Sequence, residues 1–312
     1  MSRRLTRKVL RNSTVAIVGP GCLGQAMGKL LLEAGVEVRF VVARRLGQAR
    51  RAVRFIGGGK VTSMDSPQMA EADAILITTS DAAVEQVAHK IALYRNDWSA
   101  RAALHTCGSL SASVLEPFKQ RGACVGSLHP YQTVPTPEAG VRNLVGCYWA
   151  VEGDRQAKAL AKSWVKVLGG IAFEIAPEAK PLYHLSAFLV CPTVVTLMDR
   201  SRKLLREAGV PRRIAASMLE RFVVQTARNF ADLGARRALT GPVVRGDCET
   251  ILAHMAQLRS SAPEVVPAYR ELVRLMLELE GKALSSRASR PLGRRSHSGA
   301  ACLDTFGGET IH

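Results

Sequence analysis

Two hydrophobic rhythms run along the first half of the chain. Short apolar runs at 14–18, 37–42, 74–78, 103–106 and 124–128 read as buried strands, with a briefer one at 60–62. Between them, apolar residues recur at helical spacing over 24–34, 46–55, 82–92 and 113–120. A last strand is expected at 148–151, and a helix at 156–168 ended by Gly169-Gly170. Strand and helix in alternation predict an α/β fold with a doubly wound Rossmann sheet.

Beyond about Pro177 the rhythm becomes wholly helical, over 182–208, 214–232, 247–260 and 265–284, so an all-α domain follows. Tyr269, Leu272, Val273 and Met276 mark one apolar face. Pro211 and Pro263 break the helices, and Pro192 is expected to kink the first long one. That helix reads as buried, because 182–198 is too short and interrupted to span a membrane. The expected organisation is a basic disordered N-terminus (1–12), a sheet domain (13–176), a helical domain (177–284) and a disordered Ser/Gly/Arg-rich tail (285–312).

The run Val15-Ala16-Ile17-Val18-Gly19-Pro20-Gly21-Cys22-Leu23-Gly24 sets a Gly-x-Gly-x-x-Gly turn between a strand and a helix. That context separates a dinucleotide-binding turn from a chance match. Gly19 permits the tight turn, Gly21 lets the backbone approach a diphosphate, and Gly24 lets helix and strand pack closely. The helix N-terminus presents unpaired N–H groups and positive dipole to the phosphates. Pro20, Cys22 and Leu23 complete the predicted cofactor loop.

The end of the second strand selects the cofactor, since an acid there takes a ribose 2′-hydroxyl and arginine accommodates a 2′-phosphate. Here it holds Ala43-Arg44-Arg45, with no Asp or Glu between Glu37 and Asp65. Arg44 and Arg45 therefore favour NADP over NAD. Thr79, Ser80 and Asp81 end one later strand, and Thr106, Cys107 and Gly108 the next; both loops are expected to line the same crevice.

With 312 residues the chain has room for about two domains. Its seven cysteines are scattered and show neither a metal-site nor a disulfide spacing, which fits a reducing, cytoplasmic setting. The net charge of +17 looks like a nucleic-acid signal, but ten of its positive charges lie at the two ends of the chain. Specific nucleic-acid binding is not expected; a minor role in polyanion binding by the tails is tested by deleting 1–12 and 285–312. No Gly-x-Ser-x-Gly elbow, phosphate-loop lysine motif or His-Glu-x-x-His helix is present.

Three polar blocks interrupt the apolar context: Ser127-Leu128-His129-Pro130, Lys180-Pro181-Leu182-Tyr183-His184, and Thr240-Gly241-Pro242-Val243-Val244-Arg245-Gly246-Asp247. In this order behind the glycine turn, they resemble the bacterial Rossmann-like proteins with a DUF2520 C-terminal domain. The likeness covers about residues 13–282. It implies an NAD(P)-binding domain followed by a helical domain like that of 6-phosphogluconate dehydrogenase. Relatives commonly carry Ser-Asn some eight residues past the Tyr-His pair, where this chain has Cys191-Pro192.

Hydride transfer needs a positioned nicotinamide, a bound substrate and one group to move a proton. His184 is the preferred proton donor with His129 as the other candidate, and Lys180 is expected to polarise a carbonyl or hold a carboxylate. Arg245 either anchors an anionic substrate or braces Asp247, itself a good helix N-cap. The leading expectation is an NADP-dependent oxidoreductase acting on a small, anionic carbonyl, imine or alcohol, working as a homodimer without a membrane partner. The alternative is a non-catalytic NADP-binding sensor.

Overall fold

The computed structural model describes residues 13–281. The basic N-terminus and the tail expected to be disordered lie outside the described residues. Strand β1 (Thr14–Val18) is buried at all five positions, as a central parallel strand must be. The other strands are β2 (Glu37–Ala43), β3 (Lys60–Ser63), β4 (Ala74–Ile77), β5 (Ala102–His105), β6 (Cys124–Pro130), β7 (Tyr148–Gly153) and β8 (Ile171–Glu174). They form one eight-stranded sheet in the order β3-β2-β1-β4-β5-β6-β7-β8. The first six are mutually parallel, β7 runs antiparallel to β6, and β8 parallels β7.

Helices cover both faces, so this is a doubly wound Rossmann-like sheet. Helices α1 (Cys22–Glu33), α2 (Leu46–Ile56) and α6 (Arg155–Val167) bury Met27, Ala52 and Trp164 against one face. Helix α3 (Asp81–Ala92) and the short α4 (Glu116–Lys119) bury Val84, Ile91 and Phe118 against the other. Helix α5 (Pro137–Asn143) precedes β7. Because β1 has β2 on one side and β4 on the other, the connections diverge there. The crevice they leave lies at the carboxyl ends of β1 and β4.

Two expectations about the strands need correction. The strand at 148–151 is not the last, since Gly169 turns the chain with φ +71° and β8 adds an edge strand beyond it. Residues Ile171–Glu174 carry too short a pattern, with Ile171 half-exposed, to stand out from a loop. His129 does not follow β6 but lies within it, paired with Ala150 of β7.

The chain divides into two compact units between Cys191 and Pro192. This boundary falls inside helix α7 (Lys180–Glu207), later than the 176/177 expected from composition. The first turns of α7 belong with the sheet because Lys180 and Tyr183 bond to it. α7 runs as one helix through Pro192.

The second unit adds α8 (Arg212–Leu233), α9 (Ala235–Ala238), α10 (Pro242–Arg245), α11 (Cys248–Ser261) and α12 (Val266–Leu279). Val243, Ile251, Met255, Val273 and Leu277 form its small core. α7 was expected to be buried, and this too is corrected: Lys180 is its one buried residue, and Leu189 and Val195 are exposed. The core of the second unit is built on α10, α11 and α12, and α7 contributes no residue to it. The stretch Pro177–Glu207 is long and apolar enough to cross a membrane, with mean hydropathy 1.5 over its most apolar window.

Candidate functional site

The turn after β1 closes tightly. Gly19 has φ +80°, its N–H donates to the Val42 carbonyl at 2.9 Å, and a Cβ there would come within 2.4 Å of Thr79 Cγ2. At Gly24 a Cβ would lie 2.3 Å from the Thr78 hydroxyl, which donates to the Gly19 carbonyl at 2.8 Å. At Gly21 a Cβ would meet only the Gly19 carbonyl, 4.0 Å away, and would project into open space. The three glycines thus serve turn, helix packing and open approach, in that order.

That open space is a cleft of about 540 Å³ over the carboxyl ends of β1, β2 and β4. Gly19, Pro20, Gly21 and Cys22 form one wall, Arg44 and Arg51 stand on another, and Thr79 and Ser80 on a third. No side chain caps the N-terminus of α1, so its first amides are available to an anion. The Thr79 hydroxyl is buried without a hydrogen-bond partner among the described residues. An uncapped helix start, two arginines without an ion pair among the described residues and an orphaned hydroxyl are a donor set that fits a phosphorylated dinucleotide.

Near the adjoining ends of β5 and β6, His129 of β6 meets His184 of α7. His129 Nδ1 lies 2.9 Å from the Tyr183 hydroxyl, and its ring stands edge-on to His184 with centroids 5.9 Å apart. Both rings pack on Gly108: a Cβ there would be 2.6 Å from His184 Cδ2 and 2.8 Å from His129 Nε2. Burial, then the charges of Lys180 and His184, push the His129 imidazole down to about 4, so near neutral pH it is uncharged. Tyr131 and Phe173 flank Tyr183, with ring centroids 5.4 and 6.1 Å away.

Lys180 lies elsewhere than its expected role requires. It has no exposed surface, and its ammonium donates to the Cys107 carbonyl at 3.0 Å and the Ser127 hydroxyl at 2.7 Å. Ser127 in turn donates to Glu152, 3.0 Å away. A lysine so enclosed is out of reach of a substrate carbonyl.

Two family models match the sequence: a Rossmann-like domain over residues 6–130 and the domain of unknown function DUF2520 over 147–276. The chain belongs with the Rossmann-like proteins that carry a DUF2520 domain. No curated protein matches it in sequence. Among solved structures, this DUF2520 protein is similar to a provisionally assigned NADP oxidoreductase from Bacteroides fragilis, with TM-score 0.72 and 21% identity over 86% of this chain and 99% of that one. It is also similar to a reductive aminase from Aspergillus terreus solved with NADPH, with TM-score 0.58 and 17% identity over 94% and 99% of the two chains. A pyrroline carboxylate reductase from Plasmodium falciparum with NADP bound matches with TM-score 0.54 and 13% identity over 87% and 99%. At such identities the likeness is one of fold.

The remaining predicted residues of the DUF2520 protein divide by position. Leu23 packs into the core beneath the loop, and Arg45 occupies the N-cap position of α2, without a side-chain capping bond and outside the cleft lining. Asp81 accepts a hydrogen bond from Ser109 at 3.2 Å, tying α3 to the loop of Thr106, Cys107 and Gly108. In the second unit Asp247 caps α11 by accepting the Thr250 N–H at 3.1 Å; the exposed Arg245 forms no ion pair with it.

Arg51 and Gln48 are two of the cleft residues that motif reading missed. They follow Arg44 by seven and four positions, so helical periodicity from the strand end would have found them.

Proposed function

We propose that this DUF2520 protein is an NADP-dependent oxidoreductase acting on a small carbonyl, imine or alcohol. The observation that carries this reading is the pairing of Arg44 and Arg51 opposite the glycine turn in one cleft. Guanidinium forks suit a 2′-phosphate, and no carboxylate among the cleft-lining residues opposes it. The Bacteroides and Aspergillus structures, described as an NADP oxidoreductase and as a complex with NADPH, agree with that cofactor.

Within this reading the amides opening α1 hold the diphosphate, and Thr79 offers its unused hydroxyl to the bound nucleotide. The nicotinamide supplies the hydride. His129, held neutral by its surroundings, is a poor acid near neutral pH, so His184 is the group that delivers the proton. Lys180 holds the loop that carries Gly108 and leaves the substrate to others.

Calorimetry with NADPH and NADH tests the cofactor, and a screen of carbonyls and imines followed by nicotinamide absorbance tests the reaction. Tighter binding of NADPH, with turnover lost in His184→Ala, is the expected result. Binding of neither nucleotide overturns the reading, and tight binding without turnover of any compound makes the chain a nucleotide-binding sensor instead. We also propose a homodimer, because Val195, Phe222 and Phe230 in the second unit are each 60% or more exposed, an apolar surface suited to a second copy.

A further inference from the structure

The Lys180 contacts form part of a longer buried chain. The Glu152 carboxylate, itself buried, accepts the backbone N–H of Ala112 at 2.9 Å and the Ser127 hydroxyl at 3.0 Å. The fully buried Ser127 uses its lone pairs toward the Lys180 ammonium at 2.7 Å. The ammonium ends the chain on the Cys107 carbonyl, one residue before Gly108. Three elements are joined by it: β7 through Glu152, β6 through Ser127 and α7 through Lys180. No carboxylate forms an ion pair with Lys180 among the described residues, so Ser127 separates the two charges and passes the interaction between them.

We propose that Glu152 is a positioning residue for the histidine pair, acting through Ser127 and Lys180 to fix the Cys107–Gly108 turn and to set the charge beside His129. The inference rests on the reading of His184 as the proton donor with a neutral His129 beside it, but its central test needs neither substrate nor cofactor. Burial presses Lys180 toward losing its proton, and the Glu152 charge opposes this most, with Cys107 and Asp81 adding to it. The groups that face His129 are Lys180 and His184 from α7, which lower its proton affinity, Asp81 from α3, which raises it, and the Tyr183 hydroxyl. His105, on β5, also feels the Lys180 charge. Without Glu152 the enclosed ammonium loses the charge that most opposes its deprotonation, and the repulsion on His129 weakens with it.

The test is a histidine titration by nitrogen NMR on the full chain and on Glu152→Gln, Ser127→Ala and Lys180→Met. In Lys180→Met and in Glu152→Gln the His129 midpoint moves up toward the ordinary imidazole range, a proton affinity about tenfold higher. Glu152→Asp restores part of the wild-type midpoint. A wild-type His129 midpoint in a folded Glu152→Gln chain overturns the proposal. Should Glu152→Gln fail to fold, Ser127→Ala gives the same reading, and an unmoved midpoint there overturns it equally. If the wild-type chain shows no turnover at all, the reductase reading fails while the titration still reports on the buried chain of bonds.

Discussion

Gly108 stands so close to His184 that a Cβ added to it would come within 2.6 Å of the imidazole Cδ2. Its φ lies outside the left-handed region, so the requirement for glycine is one of space. The same Cβ would lie 2.8 Å from His129 Nε2, so both rings would have to shift to admit it. Gly108→Ala is expected to cost roughly 1–3 kcal/mol, as overpacking of a filled site does. It also moves the NMR signals of both histidines. Denaturant unfolding and histidine spectra of the variant check this; unchanged spectra would show that the rings do not pack on that turn.

Arg44 and Arg51 line the cleft, and neither forms an ion pair among the described residues. Each is therefore free to bond a phosphate, and a charge-assisted bond contributes about 2 kcal/mol. Arg44→Ala and Arg51→Ala should each weaken NADPH by about tenfold or more and leave NADH nearly untouched. Calorimetry with the two nucleotides measures the ratio. Equal losses for both would place these side chains on a shared part of the cofactor.

Two imidazoles tie the stability of the sheet unit to pH. His105 is fully buried between the Cys107 N–H, which donates to Nδ1 at 3.1 Å, and the Ser111 carbonyl, 3.2 Å from Nε2. Burial, with the Lys180 charge, pushes it down to about 3, and His129 is pushed down to about 4. Both folded values lie below the unfolded imidazole value, so the unfolded chain binds more protons in between. Stability is full above about pH 6.5 and falls as pH drops toward 4, with a slope of about 1.4 kcal/mol per pH unit for each fully coupled group. His129 is partly exposed, so its share is the smaller. Denaturation at a series of pH values should show this slope, and His105→Gln should remove one proton from it. A flat profile between pH 6.5 and 4 would contradict the assignment.

Much of the sheet unit was legible because its signals are local. A continuous apolar strand, a glycine turn and an amphipathic helix announce themselves within twenty residues, and β1, α1, β2 and α2 lie close to where the pattern puts them. The Gly24–Thr78 and Gly19–Thr79 contacts connect the turn to β4, about sixty residues on, and only the fold brings them together. Lys180 shows the limit more sharply. A lysine beside Tyr183 and His184 reads as a substrate-facing cation, and nothing nearby in sequence reveals that Ser127 and Glu152 enclose it. Edge strand β8 escaped because four residues with exposed positions carry little periodicity.

The helical unit supplies the remaining prediction. Phe222 on α8 is 74% exposed, and Val195 on α7 and Phe230 on α8 are exposed by more than half. A monomer that left such side chains in water would forgo about 2 kcal/mol for each one it could bury. A homodimer that covers them should give twice the monomer mass in light scattering, with dissociation on dilution. Phe222→Glu places a charge on that surface and is expected to shift the chain to monomer while leaving the far-ultraviolet circular dichroism unchanged. Monomer mass for the wild type at all concentrations would rule the dimer out. Binding of the monomer to lipid vesicles would then assign the apolar surface, together with the stretch Pro177–Glu207, to a membrane.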